Sequence, residues 1–161
     1  MQGKRAGRVC EEVSLTKGML NVRYSDKSIS IFWADSAITE AVGLSVGVNT
    51  LGLWTDSSKA TWELTGQGQN YIKVRLDFTE LPLMQHWLIK LDSSGQISWN
   101  IDLETEEYMK IDEFRMVFGV SHQYKYWINN FQENVFPRLN RNWQDLCMDK
   151  LYSCFVGARS E

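Results

Sequence analysis

Apolar and polar residues alternate along most of this chain, with the two-residue period of β-strands rather than the 3.6-residue period of helices. In "MLNVRYSDKSISIFW" (19–33), Leu20, Val22 and Tyr24 alternate with polar neighbours, "SDKS" turns, and Ile29, Ile31 and Trp33 alternate back. That is the pattern of a hairpin. In "VGLSVGV" (42–48) every second residue is apolar, and Gly43, Ser45 and Gly47 occupy the other face. A face that small is either covered closely by another element or open to a ligand.

"TDSSKA" (55–60) reads as a turn before "TWEL", which leads through "TGQGQN" to the next strand. Over 71–78, Ile72, Val74, Leu76 and Phe78 face one way and Tyr71, Lys73, Arg75 and Asp77 the other. After the loop "TELPLM", Trp87, Ile89 and Leu91 run down one face. "DSSGQ" then turns the chain into Ile97, Trp99, Ile101 and Leu103. Segment 108–120 reads as a strand whose phase slips at Asp112–Glu113, as at a β-bulge. Met109 and Ile111 point inward before the slip, and Phe114, Met116 and Phe118 after it.

Further on, Trp127, Phe131 and Val135 recur at a spacing of four, which predicts a helical segment. Trp143, Leu146, Cys147 and Leu151 predict a second one over 142–152, before a final strand-like "CFVGARSE". These elements predict an all-β fold, an antiparallel β-sandwich of about eight strands with short helical or irregular C-terminal segments. Residues 1–18 read as a tail and 19–161 as one domain. The ending in a strand-like segment suggests a domain cut from a longer polypeptide with neighbouring domains.

The length of 161 residues allows one domain with a real core. A net charge of -3 makes a phosphate backbone a poor partner, so nucleic acid is not expected. The clustered bases Lys4, Arg5 and Arg8 lie in the tail. Three cysteines, Cys10, Cys147 and Cys154, do not form a closed set of disulfides, which points to a cytoplasmic protein. No apolar run approaches the length of a membrane span, and the first residues lack the apolar stretch of a secretory signal.

Turn length sharpens the chemistry. The five residues of "DSSGQ" set Leu91 opposite Ile97, hence Trp87 opposite Ile101 and His86 opposite Asp102. Matching apolar faces then sets 71–78 against 85–91 with Leu76 beside Trp87 and Asp77 beside His86. Three strands would carry a row Asp77–His86–Asp102. With strands about 4.8 Å apart the two carboxylates would stand about 9–10 Å apart, the upper edge for an inverting carbohydrate hydrolase. An imidazole between carboxylates also suits a proton relay. As cross-strand charge pairs, however, the same residues are ordinary sheet stabilisation.

Trp87 and Trp99 fall on the apolar face and read as core. Trp54, Tyr124 and Trp127 lie at strand ends or where periodicity fails, positions where aromatic rings stack on a sugar. Arg75, Lys90 and Asn100 would supply directional polar contacts. Arg75, Lys73 and Lys90 face Glu104, Glu106 and Glu107, a mixed-charge surface rather than an anion funnel.

No phosphate loop, nucleophile elbow, CxxC or HExxH occurs, and no cofactor or metal is called for. The expectation is a non-catalytic accessory module binding a polar ligand, a glycan before others. The alternatives are a carbohydrate-active enzyme using Asp77, His86 and Asp102, and a structural or protein-interaction domain.

Overall fold

A computed structural model describes residues 12–129, 133–136 and 156–159. The chain forms two compact units, 1–119 and 120–161. It is an all-β protein of several antiparallel sheets, and the described residues contain no α-helix. Fourteen strands are found among them, more than the expected eight or so. No described helix is long and apolar enough to cross a membrane.

In the first unit, β1 (Val13–Lys17), β2 (Leu20–Ser25), β3 (Ser28–Trp33) and β4 (Ser36–Ala37) form one sheet in chain order. β5 (Thr39–Thr50), β6 (Leu53–Asp56) and β11 (Glu113–Val120) form a second, ordered β11-β5-β6. β7 (Thr61–Gln67), β8 (Tyr71–Phe78), β9 (Leu83–Leu91) and β10 (Ile97–Thr105) form a third, ordered β10-β9-β8-β7. β1 lies inside the segment read as a tail. Alternation scarcely marks this strand, because it contributes a single buried side chain, Leu15.

Tight turns explain the meander. Asp26–Lys27, with φ of 41° and 67°, and Leu51–Gly52, with φ of 52° and 81°, are two-residue loops with both residues left-handed. That is the type I′ geometry whose twist matches that of the flanking strands. At "TDSSKA" the turn is a short 3₁₀ segment, Ser57–Lys59, capped by the Asp56 carboxylate.

The three sheets share one core. Leu15, Val22 and Ile29 come from the first sheet, and Leu44, Val46 and Val48 from the second. The third contributes Ile72, Val74, Leu76, Trp87, Ile89 and Leu91. Each such side chain stabilises the fold by about 1.5–3 kcal/mol relative to exposure. Tyr24, Trp62, Trp87 and Trp99 form a chain of ring contacts with centroids 6.4, 4.9 and 4.8 Å apart.

The small-residue face of β5 is covered. A side chain at Gly43 would meet the Ile29 carbonyl oxygen at 2.2 Å, and one at Gly47 would meet the Trp54 ring at 3.2 Å. The left-handed backbone of Gly43 (φ 69°) also shifts the strand's phase. Val42 is therefore exposed while Leu44, Val46 and Val48 are buried. Segment 108–120 differs from expectation too. Residues 108–112 are irregular, and Asp112 precedes the strand instead of bulging from it. Of the residues expected inward, Phe114 packs on the core, whereas Met116 and Phe118 are about half exposed.

The second unit contains β12 (Tyr126–Asn129), β13 (Glu133–Val135) and β14 (Val156–Arg159), ordered β13-β12-β14. The helix expected around Trp127–Val135 is thus a pair of strands, with Trp127 opposite Asn134. A spacing of four is also twice the strand period, so it places residues on one face of either element. The helix expected over 142–152, the three cysteines and the basic cluster of the tail lie outside the described residues.

Candidate functional site

Strands β7 to β10 turn their alternate residues inward to the core, which leaves a polar outer face. The β9–β10 register is the one implied by turn length. Leu91 pairs with Ile97, Ile89 with Trp99, and His86 with Asp102. Asp92 fixes this turn: its Oδ1 accepts the Ser94 hydroxyl at 2.6 Å and the backbone N–H groups of Ser94 at 2.8 Å and Gln96 at 2.9 Å. Those bonds, the Ser94 hydroxyl foremost, hold the Asp92 carboxyl below its ordinary pKa. Gly95, with φ 87°, supplies the left-handed step that closes the loop.

The β8–β9 register is two residues away from the expected one. Arg75, not Asp77, stands opposite His86, and Asp77 stands opposite Met84. The expected row Asp77–His86–Asp102 is therefore replaced by Glu63, Arg75, His86 and Asp102 across the four strands. A slide of two keeps every side chain on its face, so the apolar pattern alone does not distinguish the two registers.

The charges on this face are sorted into pairs. Arg75 Nη2 lies 2.9 Å from Glu63 Oε2 and 3.2 Å from Asp77 Oδ2. His86 Nε2 lies 2.9 Å from Glu104 Oε2, the carboxylate diagonal to it, rather than being paired with Asp102 directly opposite. Glu104, expected among the acids facing the basic patch, instead pairs with His86. Diagonal cross-strand reach is the signal that connects it to His86. Asp77 Oδ1 and Arg75 Nε are buried with no hydrogen-bond partner among the described residues. Asp77 is thus engaged with a guanidinium, away from the imidazole.

Three other polar side chains stand apart from these pairs. Lys90, Asn100 and Asp102 are exposed on adjoining strands. Their side chains make no hydrogen bond or ion pair with another described residue. Lys73 lies over the Tyr71 ring at 5.6 Å on the same face.

The aromatic candidates are dispersed. Trp54 on β6 is 40% exposed, but its ring lies against Gly47 and carries the Arg115 guanidinium over it at 4.3 Å. Tyr124 and Trp127 belong to the second unit. Tyr124 is half-buried in a loop, its N–H donated to the Ser121 carbonyl at 3.0 Å. Trp127 is 5% exposed, so the stacking surface expected there is packed instead. Among the described residues no group of three or more His, Cys, Asp or Glu is placed to hold a metal ion.

Comparison of the chain with protein-family models, with curated proteins and with solved structures finds no match.

Proposed function

We propose that the chain is a non-catalytic β-sandwich accessory module that binds a polar ligand, a carbohydrate before others, on the outer face of β9 and β10. One observation carries this reading. A cation, an amide and a carboxylate, Lys90, Asn100 and Asp102, are exposed side by side with no described side-chain partner, next to charges that are already paired. Unpaired donors and acceptors on rigid strands offer directional bonds at little ordering cost. The tie between Arg75 and Asp77, and that between His86 and Glu104, weigh against a free acid–base pair and so against the hydrolase alternative.

The test is an NMR titration of the folded chain with a panel of neutral and acidic oligosaccharides. Saturable shifts at residues 88–102 are expected. Asn100→Ala and Asp102→Ala should each weaken them several-fold without lowering the melting temperature. A folded protein whose amides on this ribbon stay unmoved by every sugar at millimolar concentration would end the proposal.

A further inference from the structure

Strand β10 forms one edge of its sheet, with β9 as its neighbour on one side and no strand on the other among the described residues. Its backbone phase follows from the closing turn. The Leu91 N–H goes to the Asn70 carbonyl at 2.9 Å, away from β10, whereas the Asp92 N–H goes to the Gln96 carbonyl at 3.0 Å. Leu91 and Ile97 are therefore a non-hydrogen-bonded pair, and the pairing with β9 runs unbroken from there to Thr105. Ile97, Trp99, Ile101, Leu103 and Thr105 thus turn their N–H and C=O groups to the open edge. The side chains agree: none on β10 is buried, whereas every inward side chain of β9 is. Native proteins blunt such edges with short strands, lysine, proline or a bulge. Elsewhere in this unit β4 and β6 are two and four residues long, and β1 ends in the exposed Lys17. β11 carries Arg115, and β7 shifts register between Leu64 and Gly66. β10 is nine residues long and has none of these devices.

From these features we infer that β10 is a dimerisation edge, to which a second copy of this chain adds its own β10 antiparallel about a two-fold axis at Ile101. A two-fold interface uses the same patch of both copies, so the strand must be complementary to itself. Charge decides that it is. Pairing over the full strand sets Ile97 against the second copy's Thr105, Trp99 against its Leu103, and Ile101 against its counterpart. Outward-facing backbone groups then meet outward-facing groups, and each inward side chain stays on the core side. On the outer face Asp102 lies opposite Asn100 and Glu104 opposite Ser98, so neither acid directly faces an acid. Other registers are worse: one slide of two residues sets Asp102 against Asp102, and the next sets it against Glu104. Like charges directly opposite are destabilising. The seam also covers Leu103, which is 43% exposed, with the half-buried Trp99. An interface one strand wide falls in the small, transient class below about 1,200 Å². The pairing uses the strand edge and requires no sugar, so it stands apart from the glycan reading.

The experiment is sedimentation equilibrium of the full chain at low ionic strength, without sugar, from micromolar to millimolar concentration. A reversible monomer–dimer equilibrium is expected. Leu103→Lys places a charge on the edge where the single copy is already open, and should leave a monomer with native circular dichroism. Asn100→Lys and Asn100→Asp test the register. The first sets opposite charges against Asp102 at both symmetry-related pairs and should tighten the dimer by roughly 2- to 30-fold; the second sets like charges there and should loosen it to a similar degree. A folded native chain that stays monomeric at millimolar concentration would overturn the inference. So would a Leu103→Lys dimer as tight as the native one. A dimer loosened by Asn100→Lys would overturn the axis at Ile101, because one slide the other way sets Asn100 against its own counterpart.

Discussion

Trp87 donates its indole N–H to Oε1 of Gln85, 2.8 Å away and two residues back on the same face of β9, and both side chains are sealed from solvent. A polar amide sits here in the middle of the core because the largest buried ring needs an acceptor. The amide's own Nε2 is left without a described partner. The bond therefore removes one unmet donor while another remains.

A sign reversal follows from that arrangement. In the native chain Gln85→Leu strands the Trp87 N–H and should cost about 1 kcal/mol, the loss being partly offset by removal of the unpaired Nε2. In a Trp87→Phe background no donor is left to strand, so the same change should be neutral or stabilising. Urea denaturation of the four proteins in the double-mutant cycle measures this coupling. Equal costs in the two backgrounds would show that the bond contributes nothing.

Two glycines with left-handed backbone should respond differently to alanine. At Gly95 (φ 87°) the space around a new Cβ is empty, so Gly95→Ala pays only the conformational penalty of about 1–2 kcal/mol. At Gly43 (φ 69°) the Cβ would also sit 2.2 Å from a backbone oxygen, which is not free to move aside. Gly43→Ala should cost about 3–5 kcal/mol, in the range reserved for severe core disruption. Thermal denaturation of the two variants side by side tests the ordering.

How much of this was legible in the sequence depends on what kind of information each element carried. The β9–β10 pairing was readable because a short turn ties both strands, so loop length fixes Leu91 against Ile97. The β8–β9 pairing was readable only in parity. β9 begins at Leu83, and the four-residue turn before it pairs Phe78 with Leu83. Reading the strand from residue 85 lengthened the loop by two and moved Asp77 next to His86. One misplaced strand end thus generated the catalytic row. Composition was equally blind at Trp127–Val135, where aromatic and β-branched residues at a spacing of four suit a strand as well as a helix. Glu63 as the partner of Arg75 depends on the β7–β8 register, which includes a shift between Leu64 and Gly66 that no alternation pattern announces.

The His86–Glu104 pair is a surface interaction, with side-chain exposures of 42% and 60%. Solvent screening keeps such pairs at about 0–1 kcal/mol. A cycle of His86→Gln and Glu104→Gln should therefore yield a coupling below about 1 kcal/mol that fades further in high salt. A large, salt-insensitive coupling would mean that the face is covered in solution.

Leu51 is a bulky apolar residue at φ 52° and 85% exposed, at a turn position that favours asparagine or glycine. Its backbone N–H is held at 2.7 Å by the Asp112 carboxylate, a bond that does not depend on the side chain. Leu51→Asn should accordingly stabilise the chain by about 0.5–1 kcal/mol, by relieving backbone strain at no loss of packing. A fall in melting temperature for this variant would show that the exposed leucine is packed against something in solution.

The acid response of the β9–β10 turn follows from Asp92. Its folded pKa is lowered, first by the Ser94 hydroxyl and then by the Gln96 N–H. A depressed carboxyl contributes stability that is fully present above the ordinary value of 3.8 and is lost as pH falls through the lower, folded value. The native chain should therefore keep this contribution down to about pH 3.8 and lose it below. Ser94→Ala removes the largest cause and should move the Asp92 midpoint up toward the ordinary value, so that the turn loosens at a higher pH. Carboxyl-detected NMR titration of both proteins reads the two midpoints, and amide exchange at Gly95 and Gln96 reads the turn. Coincident midpoints would show that the Ser94 hydroxyl does not set the ionisation of Asp92.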